Sequence, residues 1–192
     1  RTTRFGLIRH AQTVWNREKK IQGHSDSPLT DAGIVQATRW GRILEQFSWN
    51  RLLASDTGRA LATVEIIGAY LNIPLTGDPR LREQDWGRWA GKTIAQLKAE
   101  QPLELAEQTN AGWDFRPPDG EDRRSVLARS QAALQDAFTR WPGENILVVT
   151  HEGVIKCLVY HLSGRQFLPS EPPLLKSYQL HRLVHDRDGF ML

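Results

Sequence analysis

Residues 146–153 read ILVVTHEG, and residues 5–10 read FGLIRH. Both open on an apolar run too short for a helix, and the first is rich in β-branched residues. Runs of this kind are strands of a parallel sheet buried on both faces. Each leads into a histidine: His10 directly after Arg9, and His151 directly before Glu152 and Gly153. In an open α/β sheet, ligands bind beyond the carboxyl ends of the strands. Two strands that end in this way predict one shared pocket, although the histidines are far apart in the chain.

Amphipathic segments fill the space between these strands. Residues 29–47 carry Ile34, Ala37, Leu44 and Phe47 at helical spacing, with Thr30 as N-cap and Asp31 in the first turn. Residues 51–55, RLLAS, read as a further strand, and residues 57–72 as a helix capped by Thr57. Thr93 and Gln96 form a capping box for a helix over 91–102. A long helix over 121–141 stops at Pro142 and Gly143, and a helix over 153–164 stops at Gly164. Residues 178–186, YQLHRLVHD, alternate weakly and read as an edge strand. Strands alternating with helices predict an α/β three-layer sandwich, a mostly parallel central sheet with helices on both faces. Residues 1–192 read as a single domain with a lid around 102–122. Within that lid, 110–122 is rich in Pro and Gly and reads as a loop over a site.

Apolar residues make up 40% and charged residues 24%, as in ordinary globular proteins, and 192 residues suffice for a real core. The formal net charge is +3, and the basic residues are scattered. No basic run marks a nucleic-acid or membrane patch, and the slight excess suits a small anionic substrate. No stretch approaches the roughly 20 apolar residues of a membrane span. No signal peptide is visible, and the start at Arg1 leaves room for a trimmed leader. Cys157 is the only cysteine, which excludes an internal disulfide and reads as a buried thiol in a cytoplasmic protein. His24 reads as solvent-facing. His181 and His185, four apart on a strand, have Cα atoms ~13 Å apart, too far for one metal. The seven tryptophans read as core and lid packing rather than as a platform for stacking bases.

Further residues join the two histidines. Arg59 stands at the start of a helix directly after a strand, a natural seat for phosphate. Glu83 lies in LREQDWGRWAG, where Trp86 and Trp89 would lower the local dielectric and favour a carboxyl able to donate a proton. The loop IQGHSDSPLT, 21–30, holds Gln22 and Gly23, whose backbone N–H groups can meet an anion. With Asn16, the set supplies a nucleophile, charge clamps and a proton donor, which is what phosphoryl transfer requires.

These motifs, in order, resemble the histidine phosphatase superfamily, which includes the cofactor-dependent phosphoglycerate mutases. The resemblance runs through RHAQTVWN, QGHSDSPLTDAG, ASDTGRALATVEII, LREQDWGRWAG, PPDGED and VVTHEGVIKCL, most of the chain. It implies a phosphoglycerate mutase-like fold with His10 as the phosphorylated nucleophile. It implies that Arg9, Arg59 and His151 hold the phosphoryl oxygens, with Asn16 and the Gln22–Gly23 backbone assisting. It implies that Glu83 protonates the leaving oxygen and later deprotonates water, and that neither metal nor cofactor takes part. Trp86, Glu152 and Gly153 are expected beside the substrate. Where many relatives have two glycines or Gly-Asn after the second histidine, this chain has Glu152, which would repel a dianion if turned inward and is expected in solvent. PPDGED replaces the family's Pro-Gly-Gly-Glu-Ser, so the resemblance carries no firm role to Glu121.

The expected activity is hydrolysis of a small phosphorylated metabolite through a phosphohistidine. The alternatives are a phosphoglycerate mutase using the same site, and a non-catalytic phospholigand-binding protein. Specificity is expected in the lid at Trp113 and Arg116, and a homodimer is left open. The stretch after Glu83 is closer to the phosphatase branch than to the mutases.

Overall fold

The computed structural model describes residues 1–192 and is organised on one six-stranded sheet in the order β3-β2-β4-β1-β5-β6. Its strands are β1 (Thr3–Arg9), β2 (Arg51–Ala54), β3 (Leu75–Gly77), β4 (Asn145–Thr150), β5 (His181–Asp186) and β6 (Gly189–Met191). The pairs β1·β4, β4·β2 and β2·β3 are parallel, while β1·β5 and β5·β6 are antiparallel. Seven helices complete it: α1 (Val14–Arg17), α2 (Asp31–Leu44), α3 (Gly58–Leu71), α4 (Ile94–Glu100), α5 (Pro102–Asn110), α6 (Arg123–Arg140) and α7 (Glu152–Leu162).

The sandwich follows from side-chain alternation along the strands. Phe5, Leu7, Leu53, Ile146 and Val148 point to α6 and α7 and join Val126, Leu134, Ile155 and Leu158. Ile8, Leu52, Ala54, Leu147 and Val149 point the other way, to Leu44 of α2 and Val64 and Ile67 of α3. Burying each large aliphatic of these strands contributes roughly 1.5–3 kcal/mol, and both faces do so, which is why the strands read as unbroken apolar runs. Cys157 lies in the first of these layers, and burial pushes its thiol up to about 12.

Three sequence expectations are corrected. Residues 181–186 form a strand, but not at the edge: the hairpin partner β6, too short to be read from its sequence, covers it. The segment 102–122, expected as a lid, is partly helical: α5 opens with Pro102, and Trp89, Leu97, Leu105 and Phe115 form a small core of their own beside the sheet. Thr57 stands at the N-cap of α3 but makes no capping bond; its hydroxyl lies 3.4 Å from both Ser55 Oγ and His151 Nε2. The Thr93–Gln96 capping box and the Thr30 cap form as expected.

Candidate active site

Strand register brings the two histidines together. Arg9 pairs with Thr150, and the His10 N–H donates to the Thr150 carbonyl at 2.9 Å. One residue further on, the His10 and His151 rings lie edge to face with centroids 5.1 Å apart. His10 is 3% exposed and His151 fully buried. A cavity of about 160 Å³ opens here, lined by Arg9, His10, Asn16, Gln22, Gly23, Arg59, Glu83 and Trp86, with Lys20 and Ile21. Eight residues expected from the sequence therefore share one wall. His151 stands behind His10.

The protonation of His10 follows from its partner. Its Nδ1 lies 2.8 Å from the Ala11 carbonyl, and a carbonyl only accepts, so the proton sits on Nδ1 and the Nε2 lone pair is free. Burial, then Arg9 and Arg59, push His10 down to about 3. His151 is held well below its ordinary value by burial, His10, Arg59 and Arg9. Both imidazoles are thus neutral at pH 7. His151 Nε2 shares a 2.8 Å bond with Ser55 Oγ. Six buried side-chain polar atoms in the chain lack a partner, and three of them belong to this site: Arg9 Nε, Arg59 Nε and His151 Nδ1.

Arg59 is 1% exposed and braced by the Gly-containing loop: its two terminal nitrogens donate to the Ser25 and Gly23 carbonyls, each at 2.7 Å, and to Asp26 at 2.9 Å. Gly23 has φ +55°, and a Cβ there would crowd the Trp86 backbone, so any side chain would be strained. Asn16 uses its side-chain oxygen to accept from the Thr13 N–H, which leaves its amide N–H groups for a ligand. The Gln22 side chain accepts from the Ser27 hydroxyl at 2.8 Å.

Glu83 is held by backbone rather than by an aromatic wall. Its Oε1 accepts from Gln84 N–H at 2.8 Å and its Oε2 from Gly153 N–H at 3.1 Å. Trp86 lines the cavity, but Trp89 belongs to the small core with Leu97, Leu105 and Phe115, which corrects the expectation of two flanking tryptophans. Gly153 leaves room for the Glu83 carboxylate, which a Cβ at this position would push aside. Glu152 is neither turned into the cavity nor loose in solvent: its Oε2 accepts from Arg9 at 3.2 Å and its Oε1 from the Ser177 hydroxyl at 2.8 Å. His24 is exposed yet engaged, and its Nε2–H donates to the Glu83 carbonyl at 2.9 Å. Glu121 is tied to Arg129 and lines no part of the cavity. Trp113 donates to the Arg165 carbonyl and Arg116 to the Gly120 carbonyl, so neither lines the cavity either.

Sequence reasoning missed Lys20, Ile21 and Arg129. Lys20 and Ile21 reach the cavity through the turn after α1, which no periodicity marks. Arg129, on α6, donates to the backbone carbonyls of Arg80, Arg82 and Glu83 and to both oxygens of Glu121. It fixes the loop that carries Glu83. Its only signal was a charge on the apolar side of a helix. His181 and His185 are both on β5, and His185 stacks on Phe138 at 4.0 Å and bonds Gln135. No group of three or more His, Cys, Asp or Glu side chains is arranged to hold a metal.

Fold and strand-end histidines converge on one family. The chain belongs to the histidine phosphatase superfamily (branch 1), which it matches over residues 5–192. Among its relatives is the probable phosphoglycerate mutase GpmB of Enterobacter sp. (strain 638), 37% identical over 96% of this chain and 86% of that protein. Among solved structures, Bacillus stearothermophilus YhfR superposes with a TM-score of 0.90 at 34% identity, covering 99% of this chain and 95% of that one. A mycobacterial glucosyl-3-phosphoglycerate phosphatase complexed with VO3 superposes with a TM-score of 0.84 at 27% identity, covering 98% and 95%. The central sheet and its neighbours are those of a phosphoglycerate mutase-like fold.

Proposed function

We propose that this protein hydrolyses a small phosphorylated metabolite in two steps through a phosphohistidine at His10. One observation carries the reading: a neutral histidine with a free Nε2 stands among three buried nitrogens, on Arg9, Arg59 and His151, that have no partner in the chain. Buried polar atoms are almost always paired, so three unpaired nitrogens on residues gathered around His10 support a missing ligand. A dianionic phosphoryl group supplies the acceptors these nitrogens lack.

In the first step, His10 Nε2 attacks phosphorus, the P–O bond to the leaving group breaks, and Glu83 gives the leaving oxygen its proton. In the second, Glu83 takes a proton from water, whose oxygen attacks phosphorus and breaks the P–N bond. Charge accumulates on the equatorial oxygens in both transition states, where Arg9, Arg59 and His151 stabilise it. One group acts as acid and then as base, as the two half-reactions require. His10 enters the cycle as a neutral imidazole with its Nε2 lone pair free and needs no separate base.

Hydrolysis rather than isomerisation is the better reading of the cavity. A mutase must hold a bisphosphate while it turns, which calls for a second set of cations and a seal against water. Besides Arg9 and Arg59, only Lys20 adds a cationic side chain to the wall, and it is bonded to Glu18 at 2.8 Å. The lid segment 102–122 contains one arginine, Arg116, which bonds Gly120. No helix is long and apolar enough to cross a membrane. The lone buried thiol suits a reducing compartment, and we assign the protein to the cytoplasm within the same proposal.

A hydrolysis screen over sugar phosphates, nucleotides and phosphoglycerates, run beside a coupled mutase assay primed with 2,3-bisphosphoglycerate, tests the reading. Steady phosphate release with little 2- to 3-phosphoglycerate exchange is expected. Isomerisation about a hundredfold faster than release, a barrier gap of ~2.7 kcal/mol, would replace phosphatase by mutase.

A further inference from the structure

Arg9 is bound on two sides. It contributes to the cavity wall, and its Nε has no partner. On the other side its NH1 donates to Glu152 at 3.2 Å, and its guanidinium stands over the Tyr178 ring at 5.2 Å. Glu152 in turn accepts from the Ser177 hydroxyl at 2.8 Å. Leu175, Lys176, Ser177 and Tyr178, in the segment between α7 and β5, line with this pair a space of only about 10 Å³. The Arg9 and Glu152 side chains are 18% and 29% exposed, so mobile ions reach the pair and screen its field.

Two consequences follow. A long arginine side chain has many rotamers, and Glu152 with Tyr178 selects one of them. The single positive charge of Arg9 is also shared: a carboxylate at hydrogen-bond distance from one nitrogen lowers the pull of the guanidinium on a dianion beyond another. A phosphatase gains from this, because inorganic phosphate is its product and must leave.

Building on the reading of this cavity as a phosphoryl site, we propose that Glu152 is a positioning residue that acts through Arg9. It fixes the guanidinium against the 175–178 segment, and its charge sets how tightly the pocket holds phosphate. It touches no reacting atom.

Three proteins separate the two effects. Glu152→Gln keeps the shape and an oxygen to accept from Arg9 but removes the charge. Glu152→Ala removes both. Gln and Ala are equally uncharged, so they differ only in positioning, whereas Glu and Gln differ chiefly in charge. Competitive inhibition by inorganic phosphate and by vanadate, and direct phosphate binding by calorimetry, are measured for each. In Glu152→Gln the phosphate constants should fall about tenfold, and this gain should shrink toward one as salt rises from about 0.05 to 1 M. Relative to Glu152→Gln, Glu152→Ala should bind phosphate about tenfold more weakly and lose kcat/KM on an aryl phosphate by a similar factor. A merely structural role would not give a salt-dependent gain. Phosphate constants in Glu152→Gln equal to or weaker than wild type, a gain indifferent to salt, or Glu152→Ala matching Glu152→Gln would each overturn the proposal. A wild-type protein that binds neither phosphate nor vanadate would instead overturn the phosphoryl-site reading on which it rests.

Discussion

Replacing Gly153 by alanine tests the acid–base assignment without touching the acid. The three atoms nearest to a Cβ at this position are Oε1, Cδ and Oε2 of Glu83, and Oε1 is closer than a real Cβ tolerates. The carboxylate must therefore swing away, and the 3.1 Å bond from the Gly153 N–H is lost or bent. A displacement of about 1 Å in a reacting group costs on the order of 10²-fold, and loss of a general acid costs ~10²–10⁴-fold. The expected fall in kcat/KM on an alkyl phosphate is ~10²–10³-fold, equivalent to ~2.7–4 kcal/mol of transition-state stabilisation. Stability should change little, because Gly153 lies in the first turn of α7, where alanine gains ~0.5–1 kcal/mol over glycine against the strain of the displaced carboxylate. Single-turnover phosphorylation with paired alkyl and aryl phosphates is the assay, with a thermal melt as control. An aryl leaving group needs less proton donation, so the alkyl ester should lose far more rate. Equal losses for the two esters, or full alkyl turnover in a folded Gly153→Ala protein, would refute the reasoning.

Glu83→Gln should slow alkyl phosphates ~10²–10⁴-fold in the same single-turnover assay and spare aryl phosphates, since the amide cannot donate a carboxyl proton. Burial depresses His10 to about 3 and His151 well below its ordinary value, so between roughly pH 3 and 6.5 the unfolded chain binds protons that the folded chain refuses. Stability should therefore be full above about pH 6.5 and fall as pH drops, by up to ~1.4 kcal/mol per unit for each histidine, and urea titrations should show a shallower fall in His10→Ala. Arg129→Met takes the side-chain donor from the carbonyls of Arg80 and Arg82 and one donor each from Glu83 and Glu121, and should cost ~2–4 kcal/mol in urea denaturation. Vanadate, which takes up a trigonal bipyramid like the transferring phosphoryl group, should inhibit, and activity should survive exhaustive EDTA, each read as the rate of phosphate release.

Much of this architecture was legible because the relevant signals are local. The apolar runs at 5–8 and 146–150 are buried on both faces, so they needed no alternation to be recognised. The caps at Thr30 and Thr93 act within one turn. The positions of Arg9, His10 and Arg59 at element ends were legible for the same reason. What was not legible depends on tertiary approach. Thr57 has the right identity and backbone for a cap, but its hydroxyl turns toward Ser55 and His151, which come from β2 and β4 ends that sequence cannot bring together. Glu152 reads as exposed because nothing near it in sequence reveals that Arg9 and Ser177 flank it in space. Lys20 and Ile21 enter the cavity through an irregular turn, and Trp113, an apparent specificity residue, packs on Phe167 instead.

The central claim is that the phosphoryl group passes through His10. Rapid mixing with a reactive aryl phosphate, followed by an alkaline quench and peptide mapping, tests it most directly. The account predicts a burst of about one product per protein and phosphate on the peptide containing His10, both absent in His10→Ala. Phosphate on any other residue, or full turnover in His10→Ala, would contradict it.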